Sequence, residues 1–351
     1  TIIKANIFSV LGLCFAFYVS NTFADESVCQ GNRQVVSFDG KKIPLEPSGL
    51  VYDKKNDIFI AVSDNLDVLK EIHAERYVIF WFKDTGEQNL LAHPLLTDEQ
   101  ANHYNLYDLE GLTANAEGNF YAIGSLALHP SKADRDTWFR YQGYQFKIRK
   151  IDEDNFNAYA LDWISANNRR DLREWVISLK QLPWTLEHIQ GRAETEGGIN
   201  VEALSITPDN NLLLGFRGPL FSKKNTWETM AVEITIPSPD KPPQYIKNYR
   251  LPNIDNNKYG FRALTPVPGY SGWYGLILGE TGHVPSLFQT MLWNPKTGEI
   301  KSRQMQPEKM GMVWEGLALK EVVSKNNKQY INAAIIDDLN ACFKSFQIPL
   351  N

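Results

Sequence analysis

Five times along this chain the same short pattern returns: a small or charged residue, then Gly or Ala, then Leu, a short strand, a turn and a second apolar strand. The five are Ser48-Gly49-Leu50, Glu110-Gly111-Leu112, Glu202-Ala203-Leu204, Arg262-Ala263-Leu264 and Glu315-Gly316-Leu317. Their second residues fall at 49, 111, 203, 263 and 316, so the intervals are 62, 92, 60 and 53 residues. Repetition on this scale restricts the architecture more than any composition does, because a unit of this size cannot bury its apolar face alone and must stack on copies of itself. The connecting segments Lys54-Lys55-Asn56-Asp57, Ala116-Glu117-Gly118-Asn119 and Pro208-Asp209-Asn210-Asn211 carry hairpin-turn residues. Further strands follow each hairpin, so each unit has about four strands, as in a β-propeller blade. An all-β propeller of five blades follows, or six if the 92-residue interval hides a degenerate one.

That long interval also contains a helical pattern. Leu172, Trp175, Val176 and Leu179 recur at spacings of three and four before Pro183, which predicts one inserted amphipathic helix near 166–190. At the ends of the chain, a strand over 33–38 and another over 343–348 are placed to complete one blade together, the usual way a propeller ring closes.

Residues 1–24 read as a secretory signal peptide. Lys4 is the only charge before Asp25, residues 7–19 are almost wholly apolar, and Thr22-Phe23-Ala24 has the small residues of a cleavage site. The expectation is a secreted or periplasmic domain over 25–351 with no membrane span after signal removal. Cys29 and Cys342 then remain near opposite ends, which suggests a disulfide between the termini; two buried thiols are the alternative. Lys+Arg 36 against Asp+Glu 41 argues against a nucleic-acid surface.

Propeller geometry converts the repeat into a site. The first strand of each hairpin lines the axis and the second returns antiparallel, so the start of one and the end of the other share a face. The starts are Ser48, Glu110, Glu202, Arg262 and Glu315; the ends are Asp64, Ser125, Arg217, Glu280 and Asp337. Six carboxylates against two arginines should pair with each other or hold a cation. Glu110, Glu202 and Glu315, with Asp64 or Asp337, are the expected metal ligands. Hard oxygen donors suit Ca²⁺, with Mg²⁺ less suited to an all-protein cage. Arg217, Arg262, Glu280 and His283 are the expected contacts for a small-molecule or anionic ligand at the channel mouth. His103 and His129 lie on loops flanking the second motif. Trp138, Phe139, Arg140 and Tyr141 form an aromatic-basic cluster.

The run from the predicted helix through Gly197-Gly198-Ile199-Asn200-Val201-Glu202-Ala203-Leu204 to Arg217-Gly218-Pro219 resembles a bacterial domain-of-unknown-function family, number 3616 in its series. Asp108-Leu109-Glu110-Gly111-Leu112 and Glu315-Gly316-Leu317 are similar to it too, and the likeness spans roughly Ser48 to Asp337. That family is similar in pattern to the propellers called "esterase-like activity of phytase". The resemblance implies an exported propeller and hydrolysis of esters or phosphoesters, and it transfers no catalytic residue. The alternative is a non-catalytic ligand- or protein-binding propeller whose charged channel is structural.

Overall fold

The computed structural model describes residues 29, 31–37, 43–128, 141–164, 172–193, 197–238, 241–253, 257–281, 287–306 and 312–350. The signal-like segment, His129, Trp138, Phe139, Arg140 and His283 lie outside them. Twenty-one strands carry the fold. After β1 (Arg33–Ser37), the first motif opens β2 (Pro47–Asp53), followed by β3 (Ile58–Ser63), β4 (Ile79–Phe82) and β5 (Asn89–Pro94). The second opens β6 (Leu109–Ala114), β7 (Phe120–Gly124), β8 (Gly143–Asp152) and β9 (Asn155–Trp163). The third comprises β10 (Asn200–Ile206), β11 (Leu212–Gly218), β12 (Phe221–Lys223), β13 (Thr226–Ile234) and β14 (Tyr245–Pro252). The fourth has β15 (Tyr259–Pro266), β16 (Tyr274–Glu280), β17 (Phe288–Asn294) and β18 (Glu299–Gln306), and the fifth β19 (Trp314–Lys325), β20 (Lys328–Asp337) and β21 (Cys342–Pro349).

Within each unit consecutive long strands pair antiparallel, as short hairpin turns require. Three of those turns place Asp57, Gly118 and Asn210 at left-handed φ of 53°, 78° and 58°, which Gly, Asn and Asp tolerate best. Two of the second strands are buried along their whole length: every residue of β3 and β7 is buried, the pattern of strands covered on both faces.

The five first strands stand around one axis, each packed on the next, with β19 returning to β2. The Gly-Leu step is what lets them approach. A Cβ on Gly49 would lie 2.9 Å from the Cβ of Leu112, one on Gly111 2.6 Å from that of Leu204, and one on Gly316 2.8 Å from that of Leu50. So the leucine of one motif occupies the space that the neighbouring glycine leaves open. The chain is a β-propeller, and its described residues hold five such units.

Strand β1 closes the ring between first and last units. It pairs antiparallel with β21 (Gln34↔Cys342) and parallel with β5 (Val35↔Leu90). Cys29 and Cys342 are joined by a disulfide, with Cα atoms 5.4 Å apart. Two buried thiols are thereby excluded.

The inserted helix differs from expectation. It is broken into α3 (Leu172–Ser178) and α4 (Leu186–Gln190). Pro183 lacks an amide donor and disfavours helical geometry in Leu182 before it, and Thr185 then caps the second piece. Leu172 and Val176 are buried as the periodicity requires. Two further helices, α1 (Leu66–Glu71) and α2 (Asp98–Tyr104), decorate the first unit. The second was readable from Thr97 and Gln100, which form a reciprocal capping box. Among the described residues no helix is long and apolar enough to cross a membrane.

Candidate functional site: an acidic axial mouth

In all five units the ladder skips one residue at the same point. Pro47 pairs with Ser63 and Gly49 with Val62, leaving Ser48 out. Glu110 is skipped between Leu109 and Gly111, and Glu202 between Val201 and Ala203. Arg262 and Glu315 are skipped in the same way. A β-bulge re-aims the extra residue and twists the strand locally. Five bulges in register therefore send the first residue of every motif toward the axis. Ser48, Glu110, Glu202 and Arg262 line a small axial cavity together with the leucines of the motifs. Its free volume of about 10 Å³ is close to the least room that one water needs.

The ring is held by two arginines. Arg262 is 2% exposed; its Nη1 donates to Glu202 Oε2 at 2.9 Å and also to Glu315 Oε1. Arg217 Nη1 donates to Glu202 Oε1 at 2.7 Å, where Asn200 Nδ2 donates as well at 2.8 Å. Both oxygens of Glu202 are therefore engaged. Burial works against its charge, but Arg217 and Arg262 hold its carboxyl below the usual range. Burial raises Glu315 to about 7 despite Arg262, with the charge of Glu202 adding to the rise.

Glu110 and Asp64 have no arginine partner among the described residues. Burial, then the charges of Asp108 and Glu202, push Glu110 well above the usual carboxylate range. Asp64 is raised by burial and by Glu315, Asp108, Glu46 and Glu202. Asp108 sits at a left-handed φ of 56° and accepts from the Ser125 hydroxyl.

Asp337 and its neighbour Asp338 divide their work. Asp337 accepts from the amides of Val313 at 2.5 Å and Asn340 at 2.8 Å, a turn-fastening role. Burial still raises it to about 6. Asp338 instead joins Asp64 and Glu46, with carboxylate oxygens of all three within 4.8 Å of one another. Burial and the charges of Glu315, Asp64 and Glu46 raise it strongly.

Of the residues singled out from sequence, Glu110, Glu202, Glu315, Asp64, Arg217 and Arg262 thus meet in one electrostatic network. Glu280 contributes its backbone carbonyl to Arg262 Nη2 at 3.4 Å. His103, expected on a loop, lies in the last turn of α2, where it stacks edge-on to Tyr104 and near Trp163, and Tyr141 lies beneath Arg173 of α3. Glu46, Asp108 and Asp338 were not singled out. Glu46 and Asp108 each stand two residues before the bulged residue, just outside β2 and β6, where no strand period announces them.

No protein-family model matches the chain, and no curated protein matches it. Among solved structures it is similar to a luciferin-regenerating enzyme, at 10% identity and a TM-score of 0.34, over 92% of this chain and 79% of that one. It is also similar to the β-propeller domain of Cps50 (Swd1) from Myceliophteria thermophila, at 6% identity and a TM-score of 0.31, over 86% and 96% of the two chains. An exo-β-1,3-galactanase from Phanerochaete chrysosporium gives 7% identity and a TM-score of 0.41, over 91% of this chain and 63% of that one.

Proposed function

We propose that this chain is an exported propeller whose axial mouth binds a hard divalent cation, Ca²⁺ before Mg²⁺, and through it an anionic ligand. One observation carries the reading. Glu46, Asp64, Asp108, Glu110, Glu202, Glu315, Asp337 and Asp338 act on one another around the mouth, while Arg217 and Arg262 are the arginines that answer them. Among the described residues that is formally −8 against +2, and buried carboxylates that no cation balances must be protonated or hold one. Oxygen-only donors favour Ca²⁺. The disulfide favours an oxidising compartment.

The reaction class that fits such a site is hydrolysis of an ester or phosphoester, the activity that the resemblance to the number-3616 family also suggests. A bound cation would polarise the carbonyl or phosphoryl oxygen and lower the pKa of a water. That water would add to the carbon or phosphorus, giving up its proton to a mouth carboxylate, and the ester oxygen would leave. The second reading, a non-catalytic binding propeller, is favoured by the guanidinium-carboxylate ring itself, which fills the axis.

The test is metal analysis of purified protein together with melting in chelator and in excess Ca²⁺. Saturation about a hundredfold above Kd would add about 2.7 kcal/mol of stability. A protein that retains no metal and melts identically in both buffers would refute the cation reading. Turnover of aryl esters or aryl phosphates that survives chelation would separate hydrolysis from the cation.

A further inference from the structure

We propose that the cation is seated by Glu46, Asp64 and Asp338 at the rim between the first and fifth units, and that the bulged carboxylates Glu110, Glu202 and Glu315 do not ligate it. This rests on the cation reading above and adds the ligand set.

Three features of the trio point to a ligand. Their carboxylate oxygens gather within 4.8 Å of one another, the spacing at which one ion can touch all three. Oδ1 of Asp64 and Oδ1 of Asp338 are both shielded from solvent, and neither accepts a hydrogen bond among the described residues. A shielded carboxylate oxygen without a donor is costly, and the trio has two of them. None of the three is paired with a Lys or Arg among the described residues.

The backbone beneath the trio is fastened, and the Glu46 carboxylate shares side-chain hydrogen bonds with Asn65 and Asp64. The amide of Asp64 donates to the Glu46 carbonyl at 3.3 Å and that of Asp338 to the Val313 carbonyl at 2.8 Å. Asn65 Nδ2 donates to the Pro44 carbonyl at 2.6 Å, and Asn65 Oδ1 accepts from the Ser63 hydroxyl. Two of the three ring carboxylates contrast, because Glu202 has both oxygens bonded and Glu315 shares Arg262 with it, and Glu110 is not one of the carboxylates that gather with the trio. All three trio residues are half-buried, so a seated ion would keep positions open to water and to an anionic ligand. Ca²⁺ takes six to eight oxygens, and three carboxylates leave that room.

The experiment is calorimetric titration of the purified chain with CaCl₂, comparing wild type with Asp64→Asn, Asp338→Asn and Glu110→Gln. Each rim variant should bind Ca²⁺ at least about tenfold more weakly, since ligand charge tunes affinity. Glu110→Gln should stay within about threefold of wild type, because it only removes a nearby charge. Melting in chelator shows that the variants fold, and the asparagine variants should melt no lower than wild type because a repulsion is gone. Wild type that binds while only Glu110→Gln loses affinity would overturn the seat and leave the cation reading standing. Wild type that binds no Ca²⁺ would remove both.

Discussion

Gly111→Ala tests the physical basis of the repeat. The new Cβ would stand 2.6 Å from Leu204 Cβ, 2.9 Å from Leu204 N and 3.0 Å from Ile123 Cγ2. Carbon atoms prefer about 3.5–4.0 Å, so the overlap approaches 1 Å, and two of the three neighbours cannot swing away by a rotamer change. Because the first strands form a closed ring, the second and third units cannot part there without disturbing the others. Overpacking of this kind costs about 1–3 kcal/mol, or a loss of about 2–4 °C in Tm per kcal/mol. An internal control exists, for Ala203 and Ala263 hold the equivalent positions. Ala203 faces Gly215 across the hairpin, whereas Gly49, Gly111 and Gly316 face Val62, Ile123 and Ile336; Ala263 faces Ile277, so the fourth unit fits its methyl without a facing glycine. Ala203→Gly should therefore cost only the backbone entropy of a strand glycine, about 0.5–1 kcal/mol. Gly215→Ala should be the more damaging change in that unit, its Cβ meeting Ala203 Cβ and Phe261 Cγ at 2.9 Å. Urea midpoints of the three variants decide the matter. A Gly111→Ala protein as stable as wild type would refute the idea that the glycine spaces the blades.

Arg262→Met should destabilise by about 3–5 kcal/mol, the cost of leaving buried charges without their partner, because Glu202 Oε2 and Glu315 Oε1 both accept from its Nη1. Urea unfolding checks it, and adding Glu202→Gln to the variant should recover part of the loss. Replacing Cys29 and Cys342 by Ser removes a link between residues 313 apart and should cost about 2–4 kcal/mol. The same fall in Tm should appear when wild type is reduced and should be absent when the double variant is treated with the same reductant.

The Gly-Leu repeat was legible because packing imposes it on each unit: every first strand must pass close to the next, so the small residue returns even where the rest of the unit drifts. The bulges left no comparable mark. They skip Ser48, three glutamates and an arginine alike, so no residue type announces them, although they explain why those positions face the axis. The trio at the rim was harder still. The positions equivalent to Glu46 hold Asp108, Asn200, Gly260 and Val313, which share no chemistry and so do not repeat. At the other end of the hairpin, Asp337 and Asp338 are adjacent, and sequence cannot say which of two neighbours turns inward where a strand ends and its period of two lapses. Amides of Val313 and Asn340 claim Asp337 and leave Asp338 at the rim.

What differs between the units is as ordered as what repeats. In ring order, the first, second and fifth units are contiguous, and they contribute Glu46 and Asp64, Asp108 and Glu110, and Glu315, Asp337 and Asp338. The third and fourth contribute Arg217 and Arg262, joined through Glu202. Among the described residues the two arginines therefore stand on one side of the mouth and most of its carboxylates on the other. A ring whose task was only to plug the axis would distribute its pairs evenly, since an unpaired buried carboxylate destabilises wherever it lies. Concentrating the excess on one side, next to two shielded oxygens without donors, costs stability that a bound cation would return through its affinity for the folded chain. The arginines then gain a second consequence: by occupying Glu202 and part of Glu315, they would withdraw those carboxylates from competition for the proposed ion and leave the rim as its seat.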